Sequence, residues 1–223
     1  MREIVLDTET TGLDPAAGHR IVEIGCLELL NHVPTGRHFR EYLNPEREMP
    51  AEAFAIHGLS DAFLADKPLF ADIAEPFLEF IGDAKLVIHN AEFDIGFINA
   101  ELKRLDKPPL ARERAIDTVK LARKRFPGAQ ASLDALCRRF EVDTSQRTLH
   151  GALLDCELLA AVYLELRGGR QPGFDLAQQR GRSSALPVAE RSRREPRPHS
   201  PSATELAAHD SLLEKIDDPI WRR

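Results

Sequence analysis

The chain has 223 residues, 43% hydrophobic and 30% charged, which suffices for one domain of ordinary size plus an appendage. No stretch approaches the ~20 consecutive apolar residues of a membrane span, and the N-terminus runs straight into a strand without a signal-peptide pattern. The formal charge of −6 divides into −8 over residues 1–167, +4 over 168–202 and −2 over 203–223, and an acidic body is a poor unaided binder of a phosphate backbone.

Residues 3–7 read as a short buried strand built on Ile4-Val5-Leu6, which Thr10-Thr11-Gly12 breaks. Asp7 and Glu9 are two residues apart, so an extended chain points both to one side. Adjacent carboxylates repel unless something positive lies between them, and a hard divalent cation is the usual answer. The alternative is a pair of solvated acids on an edge strand. Residues 20–29 alternate as a second strand, and residues 38–43 form a third that Asn44-Pro45 stops. Short connections make the three an antiparallel meander.

Residues 51–56 and 69–81 have helical spacing, the latter with Phe70, Ile73, Phe77 and Phe80-Ile81 on one side. Residues 85–88 are a buried strand leading into a helix over 92–105. A strand at 115–116 precedes a helix that ends near Phe126-Pro127-Gly128, and Ser132 caps a helix reaching Phe140. A strongly apolar helix spans 151–166 and closes on Gly168-Gly169. Strands first, then strand–helix alternation, predict a mixed α/β sheet flanked by helices. Cys26, Cys137 and Cys156 are scattered through apolar patterns, as buried reduced thiols are, which suggests a reducing cytoplasm.

Residues 170–202 are rich in Arg, Pro, Ser and Gln without periodicity, the composition of a flexible linker. Such a linker reaches roughly 30–35 Å root-mean-square, at about 5–6 Å per square root of residue number. Ser202-Ala203-Thr204-Glu205 matches a capping box. Leu206, Leu213 and Ile216 form a stripe, and Pro219-Ile220-Trp221 ends the chain, so residues 203–223 read as a docking segment.

Two further acidic signals accompany Asp7 and Glu9. His89-Asn90-Ala91-Glu92-Phe93-Asp94 follows the 85–88 strand, which puts Asp94 in the first turn of a helix, where a dipole-favoured acid is the simple explanation. Phe93 and Phe97, four apart, can pack together. His150 and Asp155 are five apart, a rotation of about 140° on a helix. His150 therefore suits a turn before the helix, with Asp155 inside it, at the rim of the apolar face or buried beside a cation or donor.

Asp-x-Glu on a first strand, then Asn-x-x-Phe-Asp, then His-x4-Asp resembles the DEDD 3′–5′ exonuclease superfamily in its histidine-bearing branch. The resemblance covers residues 1–167, an exonuclease domain of 1–169. Residues 5–12, Ile56-His57-Gly58-Leu59, residues 132–137 and residues 149–155 look, more narrowly, like the epsilon family of proofreading subunits of bacterial DNA polymerase III. The fold implied is the ribonuclease-H-like mixed sheet, antiparallel in its first three strands and parallel after. The resemblance implies two divalent ions, Mg²⁺ or Mn²⁺, held by Asp7, Glu9, Asp94 and Asp155 and serving two-metal chemistry. His150 would be the general base; a free imidazole, titrating at about 6.5, is mostly neutral at pH 7–8. Substrate contacts fall on Asp7, Thr8, Glu9, Thr10 and Asp155 and on Glu52 and His57 beside the last sugar. Asn90 and Phe93 would shape the single-strand groove. His89 reads as structural, and Asp117 as an acid capping the next helix.

Gln171-Pro172-Gly173-Phe174-Asp175-Leu176 looks like the short peptide by which replication proteins bind the sliding clamp, with Gln171, Phe174 and Leu176 as its contacts. The 203–223 tail matches the segment that binds the alpha subunit of DNA polymerase III, and the substrate implied is a single-stranded or frayed DNA 3′ end. The alternatives are a stand-alone exonuclease of the same superfamily trimming RNA or oligonucleotide 3′ ends, and a non-catalytic scaffold. The tail argues against the first and the full set of five site residues against the second.

Overall fold

The structure, a computed structural model, describes residues 1–145, 149–169 and 200–220. It divides into two units, Met1–Phe174 and Asp175–Arg223. The first holds a five-stranded sheet of β1 (Arg2–Thr10), β2 (Ile21–Leu30), β3 (Val33–Tyr42), β4 (Lys85–Ile88) and β5 (Ala115–Asp117), in the order β3-β2-β1-β4-β5. β1, β2 and β3 pair antiparallel; β4 joins β1 in parallel, and β5 joins β4 likewise. This is the expected mixed sheet.

Its helices are α1 (Ala51–His57), α2 (Asp61–Leu64), α3 (Phe70–Ile81), α4 (Ala91–Arg104), α5 (Thr118–Arg125), α6 (Leu133–Arg139) and α7 (Ala152–Leu166). Strand alternation divides the core. Ile4 and Leu6 pack with Leu86, Ile88, Phe77, Phe97 and Ile98 on the α3–α4 face. Val5 and Val87 pack with Leu136, Cys156, Leu159 and Tyr163 on the α6–α7 face. The three cysteines are buried thiols.

Two elements depart from the expected bounds for physical reasons. β1 continues through Asp7, Thr8 and Glu9 to Thr10, because its ladder to β2 runs on after the apolar pattern stops. β3 begins at Val33 rather than 38; it is a largely exposed edge strand and carries no apolar alternation to betray it. The four-residue α2, capped by the Ser60 hydroxyl accepting from the Phe63 N–H at 3.2 Å, has too few turns to show a period.

Of the second unit the described part carries α8 (Ala203–Leu213), with the capping box between Ser202 and Glu205 present in both directions. The clamp-like peptide at 171–176, nearly all of the 170–202 linker and Trp221 lie outside the described residues. Among those described, no helix is long and apolar enough to cross a membrane.

Candidate active site

β1 pairs with β4 only from Glu3 to Val5, so from Asp7 onward the β4 side of the strand is open. Odd residues face α7, and Asp7 and Glu9 continue the row that Val5 starts. Asp94 arrives from the first turn of α4, which starts three residues after β4 ends. Thr8, on the opposite face of β1, donates its hydroxyl to Asp94 Oδ1 at 2.7 Å and ties that turn to the strand.

α7 is held against the sheet at both ends. Near its C-terminus the Tyr163 hydroxyl donates to the buried Glu3 carboxylate at 2.7 Å. At its start the N-cap is Gly151, which has no side chain to offer. Glu23 of β2, 1% exposed, substitutes: its Oε2 accepts from the Ala152 N–H at 3.2 Å, while Arg40 Nε donates to its Oε1 at 2.8 Å. A hydrogen bond to a charged acceptor contributes about 1.5–3 kcal/mol. Beside it, Gly25 lets α7 approach the sheet, since a Cβ there would collide with the Ala152 and Leu153 backbone. Gly25 is the β2 partner of Asp7, so this close approach brings Asp155 down to the β1 acids. A glycine inside an alternating strand was the available signal for such an approach; Glu23 gave none beyond polarity.

Asp155 is buried, and His150, on the turn before α7 with a side chain 47% exposed, puts Nδ1 3.3 Å from Asp155 Oδ2. The His150 N–H donates to the Ile56 carbonyl at 3.2 Å, which fixes this turn to α1. Ligating atoms of Glu9, His150 and Asp155 lie within 4.8 Å of one another, close enough that they could share a metal ion. The electrostatics extend the cluster to Asp7 and Asp94. Burial, followed by Asp94, Glu9, Asp155 and Glu23, holds the Asp7 carboxyl well above the usual carboxylate range. Burial also pushes Asp94 up to about 7, against the opposing Thr8 hydrogen bond. Among the described residues no Lys or Arg forms an ion pair with Asp7 or Asp94. An oxygen-rich set of four acids with this much mutual repulsion suits hard divalent cations.

Clefts flank the acids. One, of about 500 Å³, is lined by Thr8, Glu9, Thr10, Glu52, His57 and Phe93 of the expected contacts, together with Ile56 of the Ile56-His57-Gly58-Leu59 motif and with Leu13 and His19, which the sequence did not single out. Thr10 donates its hydroxyl to the Gly12 carbonyl at 2.6 Å, and His57 takes the Leu59 N–H on Nδ1 at 3.1 Å. That leaves His57 Nε2 buried without a hydrogen-bond partner, and burial lowers its pKa, favouring a neutral ring. Phe93 packs against Phe97 with the rings tilted by 48°, 4.9 Å between centroids. Of the other expected contacts, Asp7 and Asp155 line a smaller cleft with His150, and Asn90 lines a third. Asn90 takes a left-handed conformation (φ 68°) at the start of α4 and faces that third cleft with His89 and Asp117. His89 bonds the Thr118 hydroxyl at 2.9 Å, and Asp117 caps α5 through the Val119 and Lys120 N–H groups, as expected of structural residues.

Comparison with known proteins follows the same lines. The RNase_T family model, described as exonuclease, matches residues 4–163. The chain is 52% identical to DNA polymerase III subunit epsilon of Rickettsia felis over 97% of each chain. It is 43% identical to the Escherichia coli K12 protein of the same name, over 99% of this chain and 97% of that one. Among solved structures, exonuclease X in complex with 5′ overhanging duplex DNA superposes with a TM-score of 0.58 at 29% identity, covering 74% of this chain and 90% of that one. The nuclease domain of 3′hExo, a DEDDh family member bound to rAMP, shares the fold with a TM-score of 0.64 at 18% identity, over 75% and 90% of the two chains.

Proposed function

We propose a function from one premise: the chain belongs to the exonuclease family, and within it to the epsilon subunits of DNA polymerase III. It is a metal-dependent 3′–5′ exonuclease of the proofreading type, which removes mispaired nucleotides from a DNA 3′ end as part of the polymerase. The observation that carries this reading is the meeting of Asp7, Glu9, Asp94, Asp155 and His150, drawn from β1, α4 and the start of α7, beside a cleft of about 500 Å³ that Glu9 lines.

Asp7, Glu9, Asp94 and Asp155 would hold two ions, Mg²⁺ or Mn²⁺, which when bound acidify the attacking water and stabilise the leaving oxygen. His150 takes the proton of that water as the oxygen attacks phosphorus. The P–O3′ bond breaks, releasing a 5′-nucleoside monophosphate and a strand shortened by one residue. The terminal nucleoside occupies the cleft of Thr8, Thr10, Glu52, His57 and Phe93. The neutral His57 offers Nε2, the one buried side-chain N or O atom without a hydrogen-bond partner among the described residues, to the terminal sugar or base. Phe93 offers an aromatic edge to the bases, a contact worth ~1–3 kcal/mol per base where stacking is achieved.

The tail carries the assembly role in this reading: 203–223 docks on the alpha subunit, and 171–176 touches the sliding clamp. Tethering raises the local concentration near a primer end to about millimolar and offsets the weak affinity of an acidic body. The match to relatives runs through the tail as well as the catalytic body, which supports this reading over a stand-alone RNA trimmer. The test is nucleotide release with Mg²⁺ from matched and mismatched primer termini. A mismatched end frays more readily, since unpairing costs a few kcal/mol and least at a mismatch, so its removal is expected to be about tenfold faster. Equal rates, or faster release from RNA ends, would favour the stand-alone reading.

A further inference from the structure

The nucleoside cleft is lined from two parts of the chain beyond β1. The β1–β2 loop, residues 11–20, contributes Gly12, Leu13, Asp14, Ala17 and His19. Pro50 and α1 contribute Glu52, Ile56 and His57. The loop is closed at its ends. The Thr11 N–H donates to the Arg20 carbonyl at 2.9 Å, and the Arg20 N–H donates to the Thr11 hydroxyl oxygen at 3.0 Å. That hydroxyl also bonds His19 Nδ1 at 3.2 Å, and the His19 ring packs so tightly on Gly12 that a Cβ there would come within 2.6 Å of three ring atoms. A shift of Arg20 therefore carries the cleft-lining loop with it.

Arg20 is anchored on three sides. Its Nε and Nη2 donate to the two carboxylate oxygens of Glu101 at 2.6 and 3.0 Å, a bidentate pair whose acid is 2% exposed. Its Nη1 reaches the Pro45 carbonyl at 3.5 Å and Glu46 at 3.4 Å, on the segment that leads to α1. Arg47 of that segment donates to the Gly18 carbonyl at 2.6 Å, a second tie between the same two parts. Glu101 follows Asp94 on α4 by seven residues, which is two turns, or about 10 Å along one face. The helix that brings Asp94 to the acids thus also holds the guanidinium on which both parts of the cleft are hung. Replacing a buried ion pair by apolar residues is often neutral for stability, so what this pair adds is sought in geometry.

We propose that Arg20, held by Glu101, is a positioning residue that sets the spacing between the β1–β2 loop and α1, and with it the affinity for the terminal nucleotide. Neither residue lines the cleft itself. The inference rests on the exonuclease reading, which assigns that cleft to the terminal nucleoside.

The experiment compares the full chain with Arg20→Met combined with Glu101→Leu, and with Arg20→Lys, which keeps the charge but not the bidentate fork. Calorimetry measures binding of thymidine 5′-monophosphate in Mn²⁺, and kinetics on an oligothymidylate measure KM and kcat. For the double variant the nucleotide Kd and KM are each expected to rise about tenfold, the effect of a misplaced binding wall, with kcat and Mn²⁺ uptake within about threefold of wild type. Arg20→Lys, which guards against a double variant that fails to fold, should raise both by about threefold, in keeping with the loss of one of two parallel hydrogen bonds. Unchanged Kd and KM in Arg20→Lys would overturn the proposal. So would a double variant that loses kcat and Mn²⁺ uptake as steeply as nucleotide affinity, because that is the mark of a general structural role. Wild-type turnover of the oligonucleotide checks the exonuclease reading separately, since nucleotide binding is measured without it.

Discussion

Asp7→Asn is expected to lower the rate of 3′-nucleotide release by about 10³-fold or more, the scale of losing a group that stabilises transition-state charge. The variant is expected to remain folded. Asn is nearly isosteric with Asp, and the carboxylate it removes is repelled by Asp94, Glu9 and Asp155 in a buried setting. The sign of the pH effect follows. A carboxyl whose pKa is raised on folding makes the native chain less stable as pH climbs above the ordinary carboxylate value. Without metal, Asp7→Asn should therefore melt at or above the wild-type temperature near pH 8, with the advantage vanishing toward pH 4. Mononucleotide release and thermal melts measure the two halves. Wild-type activity in Asp7→Asn would displace Asp7 from the centre, and a melting temperature well below wild type at pH 8 would contradict the electrostatic account.

His150→Ala is expected to lose about 10²–10⁴ in kcat, the range of a general base, while Mn²⁺ uptake is retained. The geometry makes the second half informative. His150 Nδ1 sits 3.3 Å from Asp155 and within 4.8 Å of ligating atoms of both Glu9 and Asp155, so the ring is placed well enough to be a ligand. A base lost by substitution removes turnover alone; a ligand removes turnover and metal affinity together. Parallel kinetics and metal titration of the variant separate these roles, and an unchanged rate near pH 7.5 would exclude the first.

How much of this was legible in the sequence depends on which physical signal each feature leaves. The apolar strands, the amphipathic α3 and the capped α6 follow from periodicity and end residues, and their bounds agree within a residue or two. The edge strand β3 was legible only from residue 38, where Phe39 packs on the core, because its exposed first half has no reason to alternate. The catalytic acids and His150 could be found because their spacing relative to a strand end and two helix starts is distinctive. The residues that position them could not. Glu23 looks like one more polar residue in an alternating strand, and only the fold reveals it as the cap of a helix 129 positions away. Likewise Leu13 and His19 join the nucleoside cleft without any signal in the sequence. Asn90, in a left-handed turn, lines a different cleft from Phe93, a direction that its spacing from Phe93 alone does not give.

The central claim is that folding assembles four carboxylates into a cage that divalent cations complete. Calorimetric titration of the full chain with Mn²⁺ near pH 8 and pH 6 tests it most directly. Uptake of two ions per chain is expected, weaker at pH 6, because Asp94, pushed up to about 7, must then shed a proton before it can ligate. No uptake at either pH, with or without a nucleoside monophosphate present, would contradict it.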